Sequence, residues 1–183
     1  MKKSLLCLTA LLMLGTASTA NAGAFFGLRV GAEKYKVDNN SQNLEEGRTD
    51  FLMGGFLGYH WSFFRLEAEY LYHPQRSFQG GLTKMESQTV MGNLYFAPPV
   101  RSVLHPYFMG GAGAAFHSTK VTGDSDKNTA FTWQIGGGLE LEFTENVFLD
   151  AGVRWMDMGN AKLNDEKYDV RGLSYFAGLR FEY

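Results

Sequence analysis

Eleven ionisable residues recur at alternating positions in short apolar stretches: Arg29, Glu33, Arg65, Glu67, Glu69, Glu140, Glu142, Asp150, Arg154, Arg180 and Glu182. Guanidinium and carboxylate groups brought together can pair, because the planar arginine fork grips a carboxylate with two parallel hydrogen bonds. They can also line a polar path for ions. Catalytic patterns are weaker. His117-Ser118 offers a base beside a hydroxyl, but neighbours on a strand point to opposite faces, and spacing identifies no acidic third partner. Asp124-Ser125-Asp126-Lys127-Asn128 opens like a calcium loop, yet Thr129 and Ile135 stand where glycine and glutamate are needed. The glycines at 110, 111 and 113 and at 136 to 138 precede no helix that could hold a phosphate, so close packing is the expectation. His60, His73 and His105 are scattered near strand ends, and the single cysteine is Cys7. No catalytic, metal or cofactor site is therefore expected, and the charges become the candidate site.

Those charges sit in eight segments of period two, with no helical period after the first 22 residues. Phe26, Leu28, Val30 and Ala32 oppose Arg29 and Glu33; Phe51, Met53, Leu57, Tyr59 and Trp61 oppose Gly54, Phe56, Gly58 and His60. Leu66, Ala68, Tyr70 and Tyr72 oppose Arg65, Glu67 and Glu69, and Val90, Leu94 and Phe96 oppose Met91, Asn93 and Tyr95. The fifth segment, 107–116, is so rich in Gly and Ala that its facing is ambiguous; Phe108, Ala112, Ala114 and Phe116 outward fit best. Phe131, Trp133, Ile135, Leu139 and Leu141 oppose Glu140 and Glu142, and Leu149, Ala151, Val153 and Trp155 oppose Asp150 and Arg154. The last segment sets Leu173, Tyr175, Ala177, Leu179, Phe181 and Tyr183 against Arg180 and Glu182.

One face is thus free of charge in all eight segments. A lysine or arginine there would cost roughly 2–4 kcal/mol at a bilayer midplane, so an uncharged, aromatic-rich face is what lipid demands. Backbone groups in hydrocarbon must all be paired, which leaves an exported chain without apolar helices only a closed barrel. The expected fold is all-β, an eight-stranded antiparallel up-and-down transmembrane β-barrel. Tyr59, Trp61, Tyr70, Tyr72, Trp155 and Tyr183 would form its interfacial belts. Connections alternate between short ones (59–63, 97–102, 143–147) and long polar ones (36–48, 74–85, 117–129, 158–169), the short ones reading as periplasmic turns.

The amino terminus says how such a chain leaves the cytoplasm. Lys2 and Lys3, an apolar run from Leu5 to Leu14, and Ala20-Asn21-Ala22 read as a secretory signal cleaved before Gly23, so the domains are 1–22 signal peptide and 23–183 barrel. Cleavage leaves 15 basic against 19 acidic residues, a balance that does not suggest nucleic acid.

Several blocks resemble the small outer-membrane β-barrels that include the OmpA-type transmembrane domain and the opacity-type surface antigens. They are Arg65-Leu66-Glu67-Ala68-Glu69-Tyr70, Pro106-Tyr107 with the Gly/Ala run to Ala115, Trp133 to Glu140, Ala151-Gly152-Val153-Arg154-Trp155, and the closing aromatic strand. The resemblance spans the whole mature chain and lies in the order of the blocks. It implies that the last strand, through Tyr175, Leu179, Phe181 and Tyr183, is the signal read by the outer-membrane barrel assembly machinery after delivery by periplasmic chaperones. Such chains commonly end in Phe, and Tyr183 departs from that while staying aromatic. The chain stops at the barrel, so the periplasmic peptidoglycan-binding domain of the larger relatives is expected to be absent.

An eight-stranded barrel is only wide enough for side chains to fill it, so the inward charges are expected to form a paired plug. The expected function is a monomeric integral outer-membrane protein in contact with lipid and lipopolysaccharide, its loops serving as antigen or adhesin towards a host or other extracellular ligand, or serving envelope integrity. Three alternatives stand beside it: a narrow cation-leaning pore, a lipid A-modifying barrel enzyme, and a soluble lipocalin-like binding barrel.

Overall fold

The computed structural model describes residues 22–39, 42–44, 49–78, 83–100, 102–121, 124–163 and 166–183. They form nine strands: β1 (Ala22–Asn39), β2 (Gln42–Leu44), β3 (Thr49–Trp61), β4 (Phe64–Phe78), β5 (Thr83–Phe96), β6 (Leu104–Val121), β7 (Asp124–Thr144), β8 (Val147–Leu163) and β9 (Glu166–Glu182). β2 pairs only with the end of β1, across Val37 and Leu44. The other eight follow in chain order as antiparallel neighbours, and β1 pairs with β9 from Phe25–Glu182 to Asp38–Asp169, which closes the barrel. Closure leaves no open edge among these eight staves, the condition for sitting in hydrocarbon.

Period two decides which side chains go where. Phe26, Leu28 and Val30 stand exposed on the outside, with Leu28 at 66 %, while Arg29 between them is 1 % exposed. The same alternation holds around the wall, through Leu66, Val90, Phe108, Ile135, Val153 and Tyr175 outside. In the ambiguous fifth segment, Phe108, Ala112 and Phe116 are exposed and Tyr107, Met109 and Ala115 buried. An apolar exterior of this extent rules out the soluble calyx, whose surface would have to meet water.

Aromatic side chains crowd the short-turn end. Trp61, Phe63, Phe64 and Phe96 meet there with ring centroids 4.8–6.3 Å apart. At the other side of the apolar band Trp133 and Trp155 pack edge-on at 4.9 Å, the placement expected of rings at a membrane interface.

The long polar connections differ from expectation. β6 continues to Val121 and β7 starts at Asp124, so 117–121 and 124–129 of the stretch read as a connection are strand; β8 and β9 likewise run to Leu163 and from Glu166. Above the bilayer both faces of a ladder meet water, so the backbone pairs without the apolar alternation that reveals a strand inside lipid. β7, at about 3.3 Å per residue, is roughly twice the length that the 9–11 residues of a membrane crossing require. The barrel therefore projects well beyond the membrane on its loop side.

This facing assignment is tested by Ile135→Arg, near the middle of the apolar band, against Glu145→Arg in the turn after β7. The first should cost about 2–4 kcal/mol and reduce the folded, heat-modifiable fraction recovered in membranes, and the second should leave it unchanged.

Candidate functional site

The lumen is built in layers, each one inward position further along the strands. The central layer holds Arg29 from β1, Glu67 and Glu69 from β4, Asn93 from β5, Gln134 from β7, and Asp150 and Arg154 from β8, all 2 % exposed or less. Arg29 donates through Nη1 and Nη2 to the two oxygens of Glu67 at 3.0 and 3.3 Å. It also donates to Asp150 Oδ2 at 3.2 Å and to Glu69. Arg154 Nη1 donates to both oxygens of Glu69 at 2.9 and 3.0 Å. Glu69 is thus held by two guanidinium groups.

Neutral donors complete the layer. Asn93 Nδ2 donates to Glu67 Oε1 and Glu69 Oε2 at 3.1 and 3.0 Å, Tyr95 OH to Glu67 Oε1 at 2.9 Å, and Gln134 Nε2 to Asn93 Oδ1 at 2.7 Å. Such bonds to carboxylates offset the desolvation that burying charges incurs. The guanidinium of Arg29 also lies over Phe56 at 4.4 Å and Phe176 at 4.9 Å, contacts that favour a desolvated cation. Glycines make the room: a Cβ on Gly111 would collide with the Asn93 amide, and one on Gly178 with the Asp150 carboxylate.

Towards the turns, Tyr95, Tyr107, Met109 and Phe176 form an apolar and aromatic layer. Below it a mouth cluster joins Arg65 Nη1 to Glu140 Oε2 at 2.6 Å and Arg180 Nη2 to Glu140 Oε1 at 2.5 Å. Glu182 pairs with Arg180 and lies 3.4 Å from His60 Nδ1. Towards the loops, Leu52, Leu71, Ala115, Met156 and Met158 form a buried apolar layer immediately above the central charges. Above that sit His73, with Nδ1 3.3 Å from Glu33 Oε2, and Ser87 Oγ, 2.8 Å from His117 Nδ1.

Of the eleven expected network residues, Arg29, Glu67, Glu69, Asp150 and Arg154 thus meet in one cluster, and Arg65, Glu140, Arg180 and Glu182 in a second. Two others differ from expectation. Glu33 contacts His73 rather than an arginine of either cluster, because it stands two inward positions beyond Arg29. Glu142 is exposed to solvent: the ladder shifts register between Glu142 and Thr144, past the apolar band, where nothing forces the side chain inward.

Sequence reasoning left Asn93, Tyr95, Gln134 and His73 without roles; amides and a phenol on the inward face beside charges were the signal available. His117 does meet a hydroxyl, but that of Ser87 across the β5–β6 ladder rather than its neighbour Ser118. Of the closing residues, Tyr175 and Tyr183 are exposed outside, Leu179 faces the same way, and Phe181 stacks on Phe26 at 5.4 Å. Ala22 and Gly23 begin β1 opposite Trp61 and His60, and Ala20 lies outside the described residues.

A closed eight-stave barrel with an apolar belt outside and paired charges within defines an integral outer-membrane barrel protein. The chain belongs to the outer membrane protein beta-barrel domain family, whose profile matches residues 7–181, and its place is the outer membrane of a Gram-negative cell envelope. Its fold is similar to that of Neisserial surface protein A, NspA, at 21 % identity and TM-score 0.69, over 86 % of this chain and 97 % of that one. It is similar also to Ail, the attachment invasion locus protein of Yersinia pestis, in complex with the heparin analogue sucrose octasulfate. There the identity is 17 % and the TM-score 0.52, over 86 % and 99 % of the two chains. The N-terminal β-barrel domain of Pseudomonas aeruginosa OprF matches at 18 % identity and TM-score 0.51, over 85 % and 97 %. No curated protein sequence matches the chain.

Removing one partner of a buried ion pair costs about 3–5 kcal/mol because it strands the other. Glu69→Ala, which strands Arg154 and removes one of the three carboxylates around Arg29, should markedly lower the temperature at which the folded band converts on an unboiled gel. Glu142→Ala should not move it.

Proposed function

We propose that this protein is a non-enzymatic, non-conducting surface barrel whose loop-side hairpins make contacts outside the cell, as antigen or adhesin or in support of the envelope. The observation that carries the reading is the double closure of the lumen. The Arg29–Glu67–Glu69–Arg154 cluster fills the bore, and directly above it Leu52, Leu71, Met156 and Met158 form a buried apolar cluster. An ion would have to break the first and enter the second, and apolar constrictions resist wetting. This disfavours the cation-leaning pore.

The lipid A-modifying reading is disfavoured by position. Ser87 and His117 are 6 % and 4 % exposed and face the lumen, so the barrel wall stands between their contact and any acyl chain in the bilayer. What remains available for contact is the projecting loop-side half. Ail is described in complex with a heparin analogue, and the same architecture here, with hairpins well above the lipopolysaccharide-bearing surface, supports a recognition role for those hairpins. In this reading residues 1–22 are removed on export, periplasmic chaperones and the barrel assembly machinery engage the outward aromatic face of β9, and the barrel works as a monomer.

Two measurements test it. Refolded protein in a planar bilayer should show no stepwise conductance, and steady steps would overturn the closed lumen. Deleting residues 40–48, between β1 and β3, and 79–82, between β4 and β5, should leave the heat-modifiable barrel intact while abolishing binding to host cells or purified lipopolysaccharide; undiminished binding would refute the contact role.

A further inference from the structure

The closure that hydrocarbon enforces stops where the hydrocarbon does. Between β3 and β4 the ladder ends at Met53–Tyr72, although β3 stays paired with β1 up to Thr49–Lys34 and β4 with β5 up to Phe78–Thr83. Between β7 and β8 it ends at Trp133–Asp157, although β7 stays paired with β6 up to Asp124–Val121 and β8 with β9 up to Leu163–Glu166. Beyond Trp133 and Trp155 the described wall thus parts into two sheets. One holds β4 to β7, the other β8, β9 and β1 with β2 and the start of β3.

The fork between β7 and β8 has a local cause. Asp157 Oδ1 accepts from the Gly159 N–H at 2.9 Å, Gly159 adopts φ 66°, and the β8–β9 register shifts between Asp157 and Asn160. A bulge of this kind bends its strand, and here it swings β8 off β7. A Cβ on Gly159 would lie 2.6 Å from the Phe131 carbonyl oxygen, so the odd-numbered residues of β7 turn their backbone groups towards β8. Ser125, Lys127 and Thr129 therefore present N–H and C=O on that side, and among the described residues no ladder partner meets them. Neither proline nor glycine interrupts the stretch from Asp124 to Phe131. At the other fork β4 is blunted by Pro74 and by a register shift between His73 and Arg76.

A row of backbone donors and acceptors that repeats every second residue is complementary to another extended backbone. We propose that the β7 edge above Trp133 docks an extended segment of a polypeptide outside the cell, which adds to the β4–β7 sheet as a further strand. Backbone bonds to Ser125, Lys127 and Thr129 carry the affinity. Thr129 and Phe131, both exposed on the outer face, favour β-branched or aromatic neighbours on the incoming strand. The docking site rests on the recognition role proposed above and gives that role a partner of defined chemistry.

The test uses full-length mature protein in phosphatidylcholine nanodiscs and, as probe, a nine-residue peptide of alternating threonine and valine with lysine at both ends. In the free protein the amides of Ser125, Lys127 and Thr129 should exchange with solvent at least tenfold faster than those of Asp126 and Asn128, which face β6. Saturating peptide should slow those three at least tenfold, and the same peptide methylated on every backbone nitrogen should not. Lys127→Pro combined with Thr129→Pro removes two donors of the edge and spares the β6 ladder. It should abolish the protection and weaken host-cell binding at least tenfold, whereas Lys127→Ala combined with Thr129→Ala should retain both. If the proline pair folds poorly, the methylated peptide decides. The docking site is overturned if the three amides of the free protein are as protected as their neighbours, if the peptide fails to protect them, if the methylated peptide protects them equally, or if the proline and alanine pairs bind cells alike. That last result, with binding still lost on deleting 40–48 and 79–82, leaves the recognition role standing without this edge.

Discussion

Hydrocarbon offers no hydrogen bonds, and every other property of this barrel descends from that. Each backbone N–H and C=O inside the apolar band must find a neighbouring strand, so β1 has to meet β9 and the sheet has to close. With eight staves the bore is narrow enough for side chains alone to fill it. Closure therefore turns the inner face into a crowded interior. A charge placed there must be paired within a few ångströms of its own strand, and Arg29, bonded to Glu67, Glu69 and Asp150, is the side chain on which most of that pairing converges.

The interior responds by stratifying. Paired charges, aromatic rings and aliphatic side chains alternate along the axis, each layer roughly one inward position of the strands deep. Arginine ties adjacent layers together, because its charge bonds laterally to carboxylates while its flat faces stack on Phe56, Phe176 and Tyr95. The apolar layer of Leu52, Leu71 and Met156 then isolates the charges from the loop side, and a low local dielectric strengthens the ion pairs beneath it. On the turn side Tyr95, Tyr107, Met109 and Phe176 cover the central charges, and beyond them the mouth cluster borders a cavity. The two ends of one lumen thus differ physically, one filled by aliphatic packing and one bordered by paired charges.

Legibility in the sequence followed the solvent. Within the band one face meets lipid and the other does not, so Leu28 beside Arg29, or Val153 beside Arg154, declares its side through hydropathy alone. Above the band that contrast vanishes: residues 117–121 and 124–129 are strand, yet their polar side chains carry no period. At the turn end Glu142 keeps the alternation of its strand but emerges into water just before the ladder shifts register. Tyr95, Asn93 and Gln134 were legible as inward and illegible as ligands of Glu67 and Glu69, since a neutral polar side chain gives no sign of which charge it will meet.

By itself the sequence determined export, strand rather than helix, the inward or outward facing of nearly every residue in the band, and the excess of buried charge that had to be paired somewhere. Those are local properties, carried by residue type and period. Only the tertiary structure decided who pairs with whom: that Glu69 serves two arginines, that Glu33 goes to His73, that Glu140 bridges Arg65 and Arg180, and that Ser87 rather than Ser118 reaches His117. These partners lie on different staves. Their meeting depends on the stagger between ladders and on the curvature that brings opposite walls within reach, and neither is written in the alternation of a single strand.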